Sequence, residues 1–374
     1  MRLRKKQKAF VEAAAKQGSS LDSLFWQRLR RNGMAMASLA VIGLFVVVAL
    51  LGYLITPDHT PYCNQQYLEL ASMKPLGKAT FIYVDNSADT KQGPLKTLAT
   101  GRPLDAEAIP VYAYKRQGDS IVAETYTGST PNDGELLTLP ATKVKEIKTR
   151  TFILGTDTYG RDILSQVMIG SRVSLSVGFI AVAIALLIGI LLGSLAAYYG
   201  GWVDNVIMWF INVVWSIPTV LLVIAITFAL GKGFWQVFIA VGLTMWVDIA
   251  RIVRGQVLSI KEKEYVEAAR ALGYRTPRII LRHILPNITG PVIVVTASNF
   301  ASAILLEAGL SFLGIGVQPP MPSWGSMVKE NYGQILLDSA YQAFVPGLAI
   351  MLIVLAFMLL GNGIRDALDI KEQG

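Results

Sequence analysis

Long apolar runs broken by short polar stretches set the pattern of this chain. Met34–Ile55, Val173–Val203, Asn205–Gly231 and Ala340–Ile364 contain no charged residue. Each is long enough for a helix that crosses the roughly 30 Å hydrocarbon core of a bilayer. Two further runs are less clean: Gly233–Ala250 contains Asp248, and Ile288–Leu306 stops just before Glu307. The pattern predicts an all-α polytopic membrane protein with six transmembrane helices. The first run, 34–56, reads as a retained anchor, because 33 residues precede it and it is longer than the apolar core of a signal peptide.

Between the first two runs lies a polar insertion, residues 57–150. Within it Lys78–Asn86, Val111–Gly128 and Ala141–Phe152 alternate apolar and polar positions, and Gln117-Gly118-Asp119 is placed as a hairpin turn. The expectation is a small β-rich insertion, with an irregular stretch as the alternative where Pro, Gly and Ser recur through Ser87–Pro103. Next comes GTDTYGRDILSQVMIGSRVSL, Gly155–Leu175, in which Ile163, Leu164, Val167 and Met168 share a helical face. That spacing predicts a short interfacial helix ahead of the second span. Gly189 and Gly193 form a GxxxG, which lets helix backbones approach closely. Pro218 lacks a backbone donor and is expected to kink the third span.

Composition agrees with the pattern. Hydrophobic residues make up 53% of the 374, charged residues 16%, and mean hydropathy is +0.47. Soluble domains rarely combine these values. The net charge of +8 gains meaning once divided by location. Residues 1–33 hold nine Lys or Arg against two acids, and 251–287 hold eight against three, whereas 57–172 hold thirteen of each. The positive-inside rule then puts both termini and the 251–287 segment in the cytoplasm and the insertion outside. Basic charge therefore follows topology and implies no nucleic-acid partner.

Several chemistries are excluded at this level. The only histidines are His59 and His283, so no membrane Ser-His pair or HExxH site exists. Gly231-Lys232 lacks the upstream glycine of a phosphate-binding loop, with Ile226 in its place. ATP cannot be cradled here in that manner, and no cofactor or metal site is expected. The lone Cys63 reads as an isolated thiol.

The segment EAARALGYRTPRIILRHILPN, Glu267–Asn287, stands out among the apolar runs by its arginines. Ser259 and Glu262 have the spacing of a capping box, which predicts a helix start at Ile260. Tyr265, Ala268, Ala269 and Leu272 recur as one apolar face. Gly273 suits a C′ position, Thr276-Pro277 a helix restart, and Pro286 an interruption before the fifth span. The result is a helix-turn-helix on the cytoplasmic face. Charge and periodicity alone also fit an amphipathic segment resting on anionic membrane lipid.

Glu267-Ala268-Ala269, then Gly273, then Leu285-Pro286 resemble the EAA loop of membrane subunits of binding-protein-dependent ABC importers. The spacings match the family pattern; the departure is His283, where an aliphatic residue is usual. Gly155–Leu175 and EAGLSFLGIGVQPPMPSWG, Glu307–Gly325, are similar to two further motifs of the dipeptide, oligopeptide and nickel branch, in its C-type subunit. The resemblance covers about 34–56 and 150–366, and nothing carries over to the insertion. It implies a permease core over 151–366 with a coupling loop at about 254–287, and a short cytoplasmic tail over 367–374. Glu267, Ala268, Ala269, Leu272, Gly273, Leu285 and Pro286 would then couple to the motor. Implied partners are two cytoplasmic ATPases, a homologous second permease and an extracytoplasmic substrate-binding protein, in a bacterial or archaeal inner membrane.

Two acids remain as gate or pathway candidates. Asp248 either lines the substrate path or, as its spacing favours, pairs with Arg251 and Arg254 near the cytoplasmic boundary. Glu307 is expected to be structural at the outer gate. Peptide is the cargo that the resemblance implies, with nickel or another small solute as an alternative. A channel or scaffold without an ATPase is the competing class, supported only by the six-span layout and the small-residue helices.

Overall fold

A computed structural model describes residues 21–85, 93–127, 131–231 and 233–368. Most of the basic N-terminal segment and the end of the tail lie outside them. The helices before the sheet are α1 (Leu21–Arg31) and α2 (Gly33–Ile55). The strands are β1 (Gly77–Asp85), β2 (Ala106–Gln117), β3 (Ser120–Thr125), β4 (Leu136–Pro140) and β5 (Val144–Phe152), with α3 (Pro94–Thr100) after β1. Then follow α4 (Ile163–Tyr199), α5 (Gly201–Ser216), α6 (Thr219–Leu230), α7 (Phe234–Lys261), α8 (Glu264–Ala271) and α9 (Thr276–Ile279). The last are α10 (Leu285–Phe312), α11 (Trp324–Asn331) and α12 (Tyr341–Leu368).

Five helical stretches are long and apolar enough to cross a membrane: α2, α4, α7, Thr276–Phe312 and α12. The pair α5 and α6 passes the same test together, but it is bent by 93°. The described chain is thus mostly helical with five spans, or six if the bent pair is one.

Proline was expected to kink the third span; it breaks it. Ile217 and Pro218 both take extended ψ values, 127° and 124°. Steric conflict with the proline ring drives the preceding residue out of the helical region, so two residues leave the helix instead of one bond. A second expectation fails at Ile163. No separate interfacial helix precedes the second span, because α4 runs unbroken for 37 residues. The apolar face of Ile163–Met168 continues directly into the apolar run.

The chain divides into two units, 1–44 with 177–306 and 351–374, and 45–176 with 307–350. In the first unit, α4 and α7 meet through small residues. A Cβ on Gly189 would lie 2.7 Å from Ile249 Cβ, and one on Gly193 would lie 2.5 Å from the Ala250 carbonyl oxygen. Gly242 of α7 faces Ile184 equally closely, and Ala181, Ala185, Ala196 and Ala197 are fully buried. In a membrane, where apolar burial brings little gain between helices, this close approach supplies the packing energy. The Gly189–Gly193 motif of the sequence is the visible part of this seam. Elsewhere in the unit, Phe300 and Phe357 stack at 4.8 Å between α10 and α12.

The second unit carries a five-stranded antiparallel sheet in the order β4-β3-β2-β1-β5. Gly118-Asp119 forms the two-residue turn between Gln117 and Ser120, as the sequence indicates. Strand β4, Leu-Leu-Thr-Leu-Pro, was not foreseen, because three leucines in five residues mask its alternation. Phe81, Phe152, Tyr67 and Leu70 pack on one side of the sheet, and Ile82, Val111 and Ile121 on the other. Cys63 is free and buried, with its thiol pushed well above the ordinary range by burial, so it is inert.

Gly193→Val should lower stability by about 1–3 kcal/mol through overpacking against backbone that cannot yield. A lowered midpoint of thermal unfolding in detergent would show it, and an unchanged midpoint would mean that the seam is looser than described.

Candidate functional site

The Glu267–Asn287 segment is built from a short helix, a tight turn and a second helix. The expected start at Ile260 is not used: α7 continues through Lys261, and α8 begins at Glu264 with Lys263 at its N-cap. Ser259 stays inside α7, where propagation of an existing helix outweighs a capping box. Glu264 and Glu267 lie in the first turn of α8, where the helix dipole favours negative charge.

The turn at Gly273 is a full Schellman closure. Tyr274 N–H donates to Ala269 O at 3.2 Å and Gly273 N–H to Arg270 O at 3.0 Å, with Gly273 at φ +73°. A Cβ at Gly273 would meet nothing within 4 Å, so the torsion alone requires glycine. The next helix has Arg275 at its N-cap with Thr276 and Pro277 inside, one residue earlier than expected.

Pro286 was expected to interrupt this helix and does not. Ile280–Ile284 form a π-helical turn that runs into α10, with Leu285 N–H reaching Ile280 O five residues back. Widening the helix just ahead of Pro286 accommodates a residue that has no N–H to give. His283, the departure from the family pattern, stacks on Tyr274 at 6.0 Å and 14°, and Arg278 lies 4.5 Å over the Tyr274 ring. This stack closes the turn against the second helix. The spacing of an aromatic, a basic residue and a histidine was the overlooked signal.

The faces of α8 differ from expectation. Val266 and Ala269 are buried, whereas Tyr265, Glu267, Ala268 and Leu272 are exposed, Leu272 at 72%. Of the candidate residues, Ala269 therefore packs inward and Ala268 and Leu272 face out. Leu285 is half-buried and Pro286 exposed. The outward stripe of Tyr265, Ala268 and Leu272 beside Glu267 is a small apolar surface with an acid at its rim.

Asp248 does not pair with the arginines that follow it. Arg254 makes a bidentate bond to Asp204 of α5, both distances 2.6 Å. Arg251 donates to Asn212 Oδ1 at 2.9 Å and lies 4.0 Å over the Trp215 ring. Both arginines are drawn towards α5, one and two turns beyond Asp248. Asp248 is left exposed near the middle of α7.

Glu307 is fully buried. Ser311 Oγ donates to its Oε1 at 2.7 Å and Ser174 Oγ to its Oε2 at 3.2 Å, and among the described residues it has no ion-pair partner. Ser311 Oγ also accepts the Val317 N–H at 3.1 Å, which folds the glycine-rich turn back onto α10. Ser323 then caps α11, and Trp324, also fully buried, donates its indole N–H to Val167 O at 2.9 Å. The other sequence motif closes similarly. Asp157 accepts the N–H and Nε of Arg161 at 2.9 and 2.6 Å, and Arg161 also pairs with Glu330. Both motifs are thus hydrogen-bonded closures within the second unit.

Residues 185–372 match the family described as binding-protein-dependent transport system inner membrane component. Residues 20–75 match the N-terminal TM domain of oligopeptide transport permease C. The chain is 43% identical over 217 residues to the dipeptide transport system permease protein DppC of Alkalihalophilus pseudofirmus, covering 58% of this chain and 71% of that protein. It is 43% identical over 218 residues to the glutathione transport system permease protein GsiD of Pectobacterium atrosepticum, at 58% and 72% coverage. The oligopeptide transport system permease protein OppC of Bacillus subtilis is 40% identical over 217 residues, at 58% of this chain and 71% of that one.

Glu307→Ala should orphan two buried hydroxyls and destabilise the protein by about 1–3 kcal/mol, while Glu307→Gln keeps most of the stability. Thermal unfolding of both variants in detergent checks this. Equal loss in the two would assign the effect to charge instead of hydrogen bonding.

Proposed function

We propose a function from one premise: the chain belongs to the family of inner-membrane components of binding-protein-dependent transport systems. On this reading it is the C-type permease subunit of an ATP-driven importer in a bacterial inner membrane. Its cargo is a peptide, the class named for its relatives. It forms the pathway with a homologous second permease, receives cargo from an extracytoplasmic binding protein, and is powered by two cytoplasmic ATPases.

The carrying observation is the exposed stripe Tyr265, Ala268 and Leu272 on a helix whose end is fixed by the Gly273 turn. Such a surface fits a groove in a partner. Val266 and Ala269 anchor the opposite face, and the chain passes from the turn into the long helical stretch Thr276–Phe312. A push on α8 is therefore transmitted to a membrane span. ATP hydrolysis belongs to the partner, and this chain converts closure of the motor into tilt of helices.

For topology, we count the bent pair α5–α6 as one span, which gives six crossings with both termini in the cytoplasm. In support, Arg254 near the end of α7 pairs with Asp204 at the start of α5, and Lys261 Nζ donates to Ala197 O near the end of α4 at 3.0 Å. Those three helix ends share a side, and the basic 251–287 segment belongs to it.

Affinity purification from native membranes in mild detergent should recover ATPase chains and a second permease, as read by mass spectrometry. Their absence, under conditions that hold a known importer together, would favour a channel or scaffold. Gly273→Val places a β-branched residue in the left-handed region at about 1–2 kcal/mol. It should cut uptake by about tenfold or more at normal membrane levels, and normal uptake would count against the coupling role. Cysteines at exposed Ala268 and Leu272 should crosslink to an ATPase more readily than one at buried Ala269.

A further inference from the structure

We propose that Asp248, at the break between α5 and α6, is a cation subsite on the translocation pathway that receives the protonated amino group of the cargo. This rests on the importer reading and goes beyond it, since nothing in the family match assigns Asp248 a role.

Fourteen residues of α7 precede Asp248 and thirteen follow it, about 20 Å of helix on either side. An exposed carboxylate at that depth is costly against lipid, so its face is turned to water or to a polar partner. Of the nearby cations, Arg254 is ion-paired to Asp204, while Arg251 keeps its charge, donating to the neutral Asn212 Oδ1 and lying over the Trp215 ring. Among the described residues Asp248 has neither an ion pair nor a side-chain hydrogen bond.

The second observation is a notch beside it. Trp215, Ile217, Thr219, Leu222, Thr244 and Asp248 line a space of about 50 Å³ where the bent pair opens. That is room for one or two water-sized groups, which fits an ammonium and is far too small for a whole peptide. The wall includes the C-terminal turn of α5 and the first turn of α6. These ends carry opposite partial charges of about half a unit, so the full charge of Asp248 sets the sign of the notch. Trp215, 62% exposed, carries the Arg251 guanidinium 4.0 Å over one side of its ring and leaves the other side to a second cation. A break in a membrane helix is tolerated where the freed backbone groups are buried in protein or line a water-filled cavity.

The test uses the complete importer in proteoliposomes, with Cys63→Ser as background and Leu222→Cys as a reporter in the notch. A cationic methanethiosulfonate (ethylammonium) should modify the reporter about tenfold faster than the anionic ethylsulfonate. Asp248→Asn should erase that preference and Asp248→Glu should retain it. In the same Asp248→Asn complex, uptake of a dipeptide with a free amino terminus should fall about tenfold while the ATPases still co-purify. Equal reagent rates with Asp248 present, or uptake unchanged in Asp248→Asn, would overturn the subsite. If neither reagent reacts and Asp248→Asn releases the second permease, the carboxylate is an inter-subunit ion-pair partner and the proposal falls. Failure of the unmodified complex to take up any peptide would remove the importer reading as well, an outcome distinct from the other two.

Discussion

The close approach of α4 and α7 is the constraint on which the first unit depends. Its geometry leaves no room for a side-chain atom at Gly189 or Gly193, since the facing groups are Ile249, Val253 and the Ala250 backbone. Because α7 is pinned there, the residues it carries are pinned too. Asp248 lies one residue before Ile249, and α8 follows the end of α7 after only Glu262 and Lys263. A short connection of this kind ties α8 closely to the end of α7. The same seam seats Ile249, Val253 and Ile184 against glycines of the facing helix, so the two helices interlock and move together.

The second unit is organised by a different interaction, the satisfaction of buried polar groups. Arg161, Asp157 and Glu330 form one closure, and Glu307 with Ser174, Ser311 and the Val317 amide forms another. Each polar atom left without a partner at such burial costs more than its hydrogen bond returns. That asymmetry explains why two sequence motifs that resemble a family signature contain so many small and hydroxylated residues. They shape tight turns around a few buried polar and ionisable groups.

How much of this was legible in the sequence follows the range of the forces involved. Apolar runs located the membrane-length helices, because length and hydropathy act locally. Their limits differ: α4 begins well before its run, α7 ends well after its run, Thr276–Phe312 overshoots its run at both ends, and the third run is a bent pair. Alternation and a Gly-Asp pair indicated two strands and a hairpin, and Gly273 announced its own left-handed turn. Misreadings arose where a neighbour outside the local window prevailed. Ser259 looked like a cap, but α7 was already propagating. Pro286 looked like a stop, but a π turn absorbed it. Asp248 looked paired by its spacing to Arg251 and Arg254, but Asp204 and Asn212 of α5 compete for those arginines from 50 and 39 residues away. Nothing within four residues of Asp248 reports that competition.

The two acids in the spans show how burial and exposure divide the labour of a membrane subunit. Glu307 is enclosed and meets its needs from hydroxyls of its own chain, so it requires nothing from outside. Asp248 interrupts an apolar stretch of α7, yet among the described residues no side chain pairs with it, and Arg254 is committed to Asp204. A charge can persist in such a position only if something beyond the chain, whether water in a pathway, cargo or a second subunit, completes it. The break at Pro218 belongs to the same logic. Trp215 and Ile217 before the 93° break, and Thr219 and Leu222 after it, line the small space next to Asp248, so the break and the carboxylate meet at one place in the fold.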